Sequence, residues 1–187
     1  MRGDEQAGRV ALLTVGHGTL AAEALTSLLV GAGVRRLVDV RTAPGSRRHP
    51  HLGRAEMARW LPEAGIAYRW ERDLGGWRKA APNSPNVVLR HAGFRGYADH
   101  MASAAFGAAL DRLLAEAETE TTAAVCSESL WWRCHRRLLA DAAVLARGFA
   151  VAHLLHNGRL EEHRVTEGAR VRDGIVVYDG LGLPPPT

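Results

Sequence analysis

The segment Cys126-Ser-Glu-Ser-Leu-Trp-Trp-Arg-Cys-His-Arg-Arg137 concentrates more reactive chemistry than any other part of the chain. Two thiols, an imidazole, a carboxylate, three guanidinium groups and two indoles fall within it. A cysteine that ends a buried strand and precedes a loop and helix is a common setting for a reactive thiol. Helix amides and nearby arginines favour thiolate. Cys126 is therefore the candidate nucleophile or redox thiol. Glu128 or His135 could move protons, as could His17 in the turn Gly16-His17-Gly18. Arg41, Arg47, Arg133 and Arg136 are candidate anion ligands, because guanidinium groups bind phosphate and carboxylate through paired N–H donors. Trp131 or Trp132 could stack on a planar group. Gly75-Gly76-Trp77 and Arg95-Gly96-Tyr97 set flexible turns beside further rings, Tyr97 among them.

Each of these residues also has an ordinary structural use. Cys126 can be a small core residue and Cys134 part of a helix start. His17 can bond within its turn, Asp39 and Arg41 can pair, and one of two adjacent tryptophans belongs in the core. Metal binding competes for the same groups. The thiols are eight residues apart, without the Cys-x2-Cys pairs of zinc ribbons. Cys134 and His135, neighbours on an expected helix, point in different directions. The spacing therefore predicts no metal site, with Cys134 and His135 as the candidates if one exists and His17 and Cys126 as additional donors. Gly16-x-Gly18 lacks the third glycine of a dinucleotide fingerprint.

The elements that must position these groups follow from hydrophobic periodicity. Apolar runs at 10–15, 37–40, 66–70, 121–125 and 149–155 read as strands. Helical spacing appears over 19–31, 54–61, 97–118 and 133–147. Glu71 to Gly96 is long, irregular and rich in Gly, Pro, Asn and Arg, and such loops are usually functional or mobile. Asn157-Gly158 and Asp173-Gly174 are turn signals between β-prone residues, implying a C-terminal hairpin at a sheet edge. The alternation predicts an α/β fold, a mainly parallel sheet with helices on both faces in a Rossmann-like three-layer arrangement. Sites in such sheets lie outside the carboxyl ends of the strands. That rim collects His17, Arg41, Arg47, Glu71, Cys126, Glu128 and His156. The expected organisation is a flexible N-terminus (1–8), one domain (9–180) and a Pro-rich tail (181–187).

The chain has 187 residues and a formal charge of +4. Lys79 is its only lysine, so 23 of the 24 basic residues are arginine. No apolar run reaches the ~18 residues of a membrane helix, and the charged N-terminus does not read as an export signal. The expectation is a cytoplasmic protein with reduced thiols and no membrane partner. Neither cofactor nor oligomeric state is specified.

Several segments together resemble the bacterial domain of unknown function 488 family. They are Thr14-Val-Gly-His17, Leu37-Val-Asp-Val-Arg41 with Pro44, Ser46 and Arg47, Asp73-Leu-Gly-Gly76, Phe94 to Met101, Cys126 to Arg137 through Asp141, His153, and His163 with Val165-Thr166. The resemblance implies an α/β domain and no particular reaction. A fainter similarity links Asp39-Val-Arg41 and the Cys126–Arg133 loop to the strand–Cys–loop–Arg cradles of rhodanese-type sulfurtransferases and cysteine phosphatases. The loop departs from those cradles. It is not glycine-rich, carries Glu128 and two tryptophans, and has one more residue between Cys and Arg than the phosphatase pattern. The leading expectation is an enzyme with a cysteine/arginine site, acting on an anionic planar ligand such as a nucleotide or nucleic-acid base. The alternatives are a non-catalytic nucleic-acid-binding module, and a metal or haem protein using His17, Cys126, Cys134 or His135.

Overall fold

The apolar runs form a six-stranded sheet in which five strands are parallel. A computed structural model of the chain describes residues 11–45 and 47–181. The expected flexible N-terminus, Ser46 and the tail beyond Leu181 lie outside the described residues. The elements run β1 (Ala11–Gly16), α1 (Ala22–Gly31), β2 (Arg36–Asp39), α2 (Arg54–Glu63), β3 (Ala67–Trp70), α3 (Ala92–Met101), α4 (Ala104–Thr119), β4 (Thr122–Cys126), α5 (Arg136–Asp141), β5 (Ala150–Leu154), β6 (Leu160–Glu162), β7 (Arg170–Arg172) and β8 (Ile175–Val177). The sheet order is β3-β2-β4-β1-β5-β6. Only β6 is antiparallel, paired with β5.

Alternate residues of each strand feed two cores, as the pleat requires. Leu12, Val38 and Ala124 pack with Tyr97, Leu110, Leu113 and Leu138 from α3, α4 and α5. Leu13, Val15, Leu37 and Val125 pack with Leu25, Leu29, Met57 and Leu61 from α1 and α2. Helices therefore cover both faces, and the architecture is a three-layer α/β domain. No helix among the described residues is long and apolar enough to cross a membrane.

Three elements differ from the sequence expectation. The helix expected over 97–118 is two, because the Ser103 side chain accepts a hydrogen bond from the Phe106 amide (3.2 Å) and starts α4 afresh. The helix expected from Arg133 begins only at Arg136 and ends in a wider π-type turn over Ala142–Ala146. Of the two C-terminal turns, Asn157-Gly158 joins β5 to β6 at the sheet edge. Asp173-Gly174 instead closes a separate β7–β8 ribbon. Both residues of that second turn have positive φ (52° and 77°), the requirement of a tight hairpin turn that Asp-Gly satisfies. The long 71–96 loop is tied down by Asp99 of α3, whose carboxylate accepts from the Ala81 amide (2.8 Å), the Ser84 hydroxyl (2.6 Å) and the Asn86 amide side chain (2.8 Å).

Candidate functional site

A cleft of about 670 Å³ opens at the carboxyl rim of the sheet. Thr42, Gly76 and Trp77 come to it from the loops after β2 and β3. Phe94 comes from α3, and Cys126, Glu128, Trp132, Arg133, Cys134 and His135 from the segment after β4. Parallel pairing sets this meeting. Gly16 lies opposite Cys126, and Asp39 opposite both Val125 and Trp70, so these strands end at one level. The cleft size is that of a small-ligand site.

The floor of the cleft is a cysteine–histidine cluster. Both thiols are free and buried. His135 Nδ1 lies 3.8 Å from Cys126 Sγ and 3.6 Å from Cys134 Sγ. Its Nε2 is 2.9 Å from the Val40 carbonyl oxygen, which can only accept, so Nε2 carries a proton and Nδ1 faces the sulfurs. Sequence spacing suggested that Cys134 and His135 could not aim at one point, and the backbone corrects this. A short 3-10 turn over Trp131–Arg133 ends at Cys134, which is extended (φ −121°, ψ 154°), before His135 turns into the helix. The extended residue swings its thiol back beside the imidazole. The three ligand-capable atoms all lie within 4.8 Å of one another, so this trio could hold a metal ion. Gly76 roofs the cluster, since a Cβ there would overlap His135 Nδ1.

Charge around the thiols is uneven. Arg136 is 1% exposed and forms no ion pair with a carboxylate among the described residues. Its Nε donates to Cys134 Sγ at 3.4 Å. Its Nη2 donates to the Glu128 and Ser129 carbonyls, shaping the loop after β4. A buried guanidinium requires compensation, and the adjacent Cys134 sulfur is its nearest anion-capable side chain. The Cys126 thiol shares its proton with Cys134, which raises Cys126 and lowers Cys134. Burial raises Cys126 further, and His135 and Arg136 help to lower Cys134. Cys134 is therefore the more readily ionised thiol of the pair, although the sequence points to Cys126 as the reactive one.

Several expected site residues have other duties. All five N–H bonds of Arg41 are engaged. Nε and Nη2 hold Asp39 (2.8 and 2.5 Å), Nη2 also reaches Met57 Sδ (3.3 Å), and Nη1 donates to the Leu52 carbonyl (2.8 Å) and His17 Nε2 (3.0 Å). Arg41 therefore has no donor left for a ligand. His17 donates from Nδ1 to the Gly18 carbonyl (2.9 Å) and is outside the cysteine cluster. Burial, opposed in part by that bond, pushes it down to about 4. It braces Arg41 and its own turn as a neutral imidazole and stands outside the cysteine–histidine trio. Arg136 serves the cysteine loop and is not an open clamp. Trp131 is buried and stacks on His153 (4.1 Å, 9°), and Tyr97 is fully buried with its hydroxyl on the Leu74 carbonyl (3.1 Å). Neither faces the cleft. Arg47 is exposed and is not among the lining residues. Trp132 (45% exposed), Arg133 and Glu128 do line it.

Two further sets of residues, which the sequence marks only as a turn beside a ring and as part of a resemblance, take defined places. Trp77, 90% exposed, faces the cleft with His91 and Phe94; the signal was its Gly-Gly prefix. The second set is a buried chain behind Cys134. Tyr178 donates to Asp141 (2.7 Å), as does the Thr166 amide (2.9 Å). The carboxylate can only accept, so His163 Nε2 donates to it (2.9 Å), His153 Nε2 donates to His163 Nδ1 (3.0 Å), and Thr14 donates to His153 Nδ1 (2.6 Å). Arg136 Nη1 reaches Thr14 Oγ1 at 3.5 Å, which completes the chain.

Comparison with known proteins brings one match. No curated protein and no solved structure matches the chain. The model of the family described as a domain of unknown function, DUF488, matches residues 21–143, more than half of the chain and including α1 to α5 and the whole cysteine segment. The chain belongs to the DUF488 family.

Proposed function

We propose that this protein is an enzyme whose reacting centre is the cysteine–histidine cluster, acting on an anionic planar ligand such as a nucleotide or nucleic-acid base. The observation that carries the reading is the composition of one cleft. Thiol and imidazole groups form its floor, while two exposed indoles, Trp77 and Trp132, and the exposed Arg133 line its walls. Exposed tryptophans facing a cleft suit stacking against a planar ring. Arg133 has no side-chain hydrogen bond or ion pair among the described residues, and its N–H fork fits a phosphate or carboxylate. Glu128 stands on the rim, its Oε1 accepting from the Leu130 amide (3.2 Å), within the same cleft as the expected reacting groups. The cleft volume suits a mononucleotide better than a duplex groove reader, which favours an enzyme over a nucleic-acid-binding module.

Titration of intrinsic tryptophan fluorescence with nucleoside monophosphates, nucleosides and short oligonucleotides tests this. The expected result is saturable quenching by a nucleotide, weakened about 5- to 150-fold by Trp77→Ala, the loss of one stacking contact, and weakened again by Arg133→Ala. No response to any nucleotide overturns the ligand assignment. Response only to long oligonucleotides, with a steep salt dependence, overturns the enzyme reading in favour of a binding module.

A further inference from the structure

We propose that Cys126, Cys134 and His135 form a three-ligand site for a thiophilic divalent cation of the zinc class, its fourth position open to the cleft. For the ion's role in catalysis this rests on the reading of the cleft as an enzyme site; for its binding it does not.

The distances between the three donor atoms fit an ion. Metal–sulfur and metal–nitrogen bonds of ~2.3 and ~2.05 Å at a tetrahedral angle separate S and N donors by about 3.6 Å. His135 Nδ1 stands 3.6 Å from one sulfur and 3.8 Å from the other. The single Nδ1 lone pair can accept from at most one S–H. Both distances fit an ion between the three atoms.

The orientation of the donors fits one as well. The Nε2–H bond to the Val40 carbonyl holds the ring with Nδ1 free to ligate, the outer-sphere support that metal-bound histidines usually have. Arg136 donates to Cys134 Sγ, which favours the deprotonated sulfur that a metal requires. The donor set is two soft sulfurs and one imidazole, which selects zinc-like ions over magnesium or calcium. Three protein ligands facing a cleft leave a position for water or substrate, as in catalytic and not structural zinc sites. An ion there would polarise a ligand oxygen or generate hydroxide, with Glu128 on the rim to take the proton. The two sulfurs would then be ligands and not attacking groups.

The test uses the full chain stripped with a chelator, then titrated with Co(II) and Zn(II). The expected result is one ion per chain, an intense near-ultraviolet thiolate-to-cobalt band with tetrahedral d–d absorption, and displacement by zinc. In the zinc form both thiols should resist a thiol reagent, and both should react once zinc is chelated. Cys126→Ser and Cys134→Ser should each weaken binding by more than ~100-fold, beyond the loss typical of an outer-sphere change, while Glu128→Gln keeps the cobalt spectrum. Should the serine variants fail to fold, the wild-type spectrum and paired thiol protection decide alone. Absence of stoichiometric binding, or a cobalt spectrum without thiolate character, overturns the site. Metal binding without nucleotide quenching leaves this site standing and removes the ligand assignment above. Nucleotide quenching by a chain that takes no metal does the reverse.

Discussion

Lowering the pH from 7 to 5 should remove about 4 kcal/mol of stability from the metal-free protein, through two histidines that the fold keeps neutral. His153 is 1% exposed, accepts from Thr14 and donates to His163. Burial first, then the proximity of His163 and Arg136, pushes it down to about 3. His17 is 4% exposed, accepts from the Arg41 guanidinium and sits at about 4. In the unfolded chain both titrate near ~6.5. Between the two values the unfolded state binds the proton and the native state does not, so stability falls as the pH drops through ~6.5. At pH 5 each histidine then favours the unfolded state by about 2 kcal/mol more than at pH 7. Carboxylates add little in this window, since their unfolded values lie near ~4.

Urea unfolding followed by tryptophan fluorescence at pH 7, 6 and 5, with chelator present throughout, measures this loss. His153→Gln removes one titrating group, so its loss over the same interval should fall to about 2 kcal/mol, whatever its stability at pH 7. His17→Asn should behave alike. A wild-type loss under ~1 kcal/mol, or one that His153→Gln leaves unchanged, refutes the assignment of this pH dependence to the two histidines. The expected loss is a large part of the ~5–15 kcal/mol of an ordinary domain, so the midpoint itself should move visibly.

Gly76→Ala should displace the His135 ring, with a cost of about 1–3 kcal/mol for overpacking and loss of the thiolate–cobalt band, read from urea unfolding and absorbance on the same sample. Arg41→Met should cost about 3–5 kcal/mol, because it strands the Asp39 carboxylate at 0% exposure; the double variant Asp39→Leu/Arg41→Met should recover part of that in thermal or urea unfolding. Asp141→Ala should cost at least ~3 kcal/mol, since it orphans the Tyr178 hydroxyl, the His163 N–H and the Thr166 amide, at ~1–3 kcal/mol each. Hydrogen exchange should show that loss concentrated after β6 and β8, the segments that Asp141 ties to α5.

Periodicity and turn chemistry made the layers legible. Apolar runs such as Leu12 to Val15 and Leu37 to Asp39 are strands, and the rule that sites lie beyond parallel strand ends located the cleft. Of the residues named from the sequence, Cys126, Glu128, Trp132, Arg133 and His135 do line the cleft, whereas His17, Arg47, Trp131, Tyr97 and Arg136 do not. Arginine type alone could not separate a ligand clamp from a strut. Arg41 and Arg133 look alike in sequence, and only the five hydrogen bonds of Arg41 distinguish them. Helical periodicity also hid the bend at Cys134. One residue in extended backbone reverses a conclusion about aim that rests on helix geometry. The chain from Arg136 to Asp141 draws on Thr14 of β1, His153 of β5, His163 after β6 and α5 itself, and parallel register at Thr14 and His153 creates contacts that no local pattern encodes.

That register joins residues that lie far apart along the chain. Gly16 admits the Glu128 carbonyl and the Arg136 side chain, both of which a Cβ would strike. Arg136 then holds the Glu128–Ser129 loop and the Cys134 sulfur at once. Thr14 receives the other end of the same guanidinium and passes its own proton toward His153, His163 and Asp141. Thr14 and His153 lie on the same face as Leu12 and Val151, under α5, so an apolar residue at any link would pack there without difficulty. Packing therefore does not require a polar chain in this layer. The chain runs from a cation buried beside the Cys134 sulfur to the Asp141 carboxylate at its far end. A core built only for stability has an easier solution in aliphatic side chains. The polar one makes sense if the sulfur must stay ionised inside the protein, and this holds equally for a thiolate that reacts and for one that binds a metal.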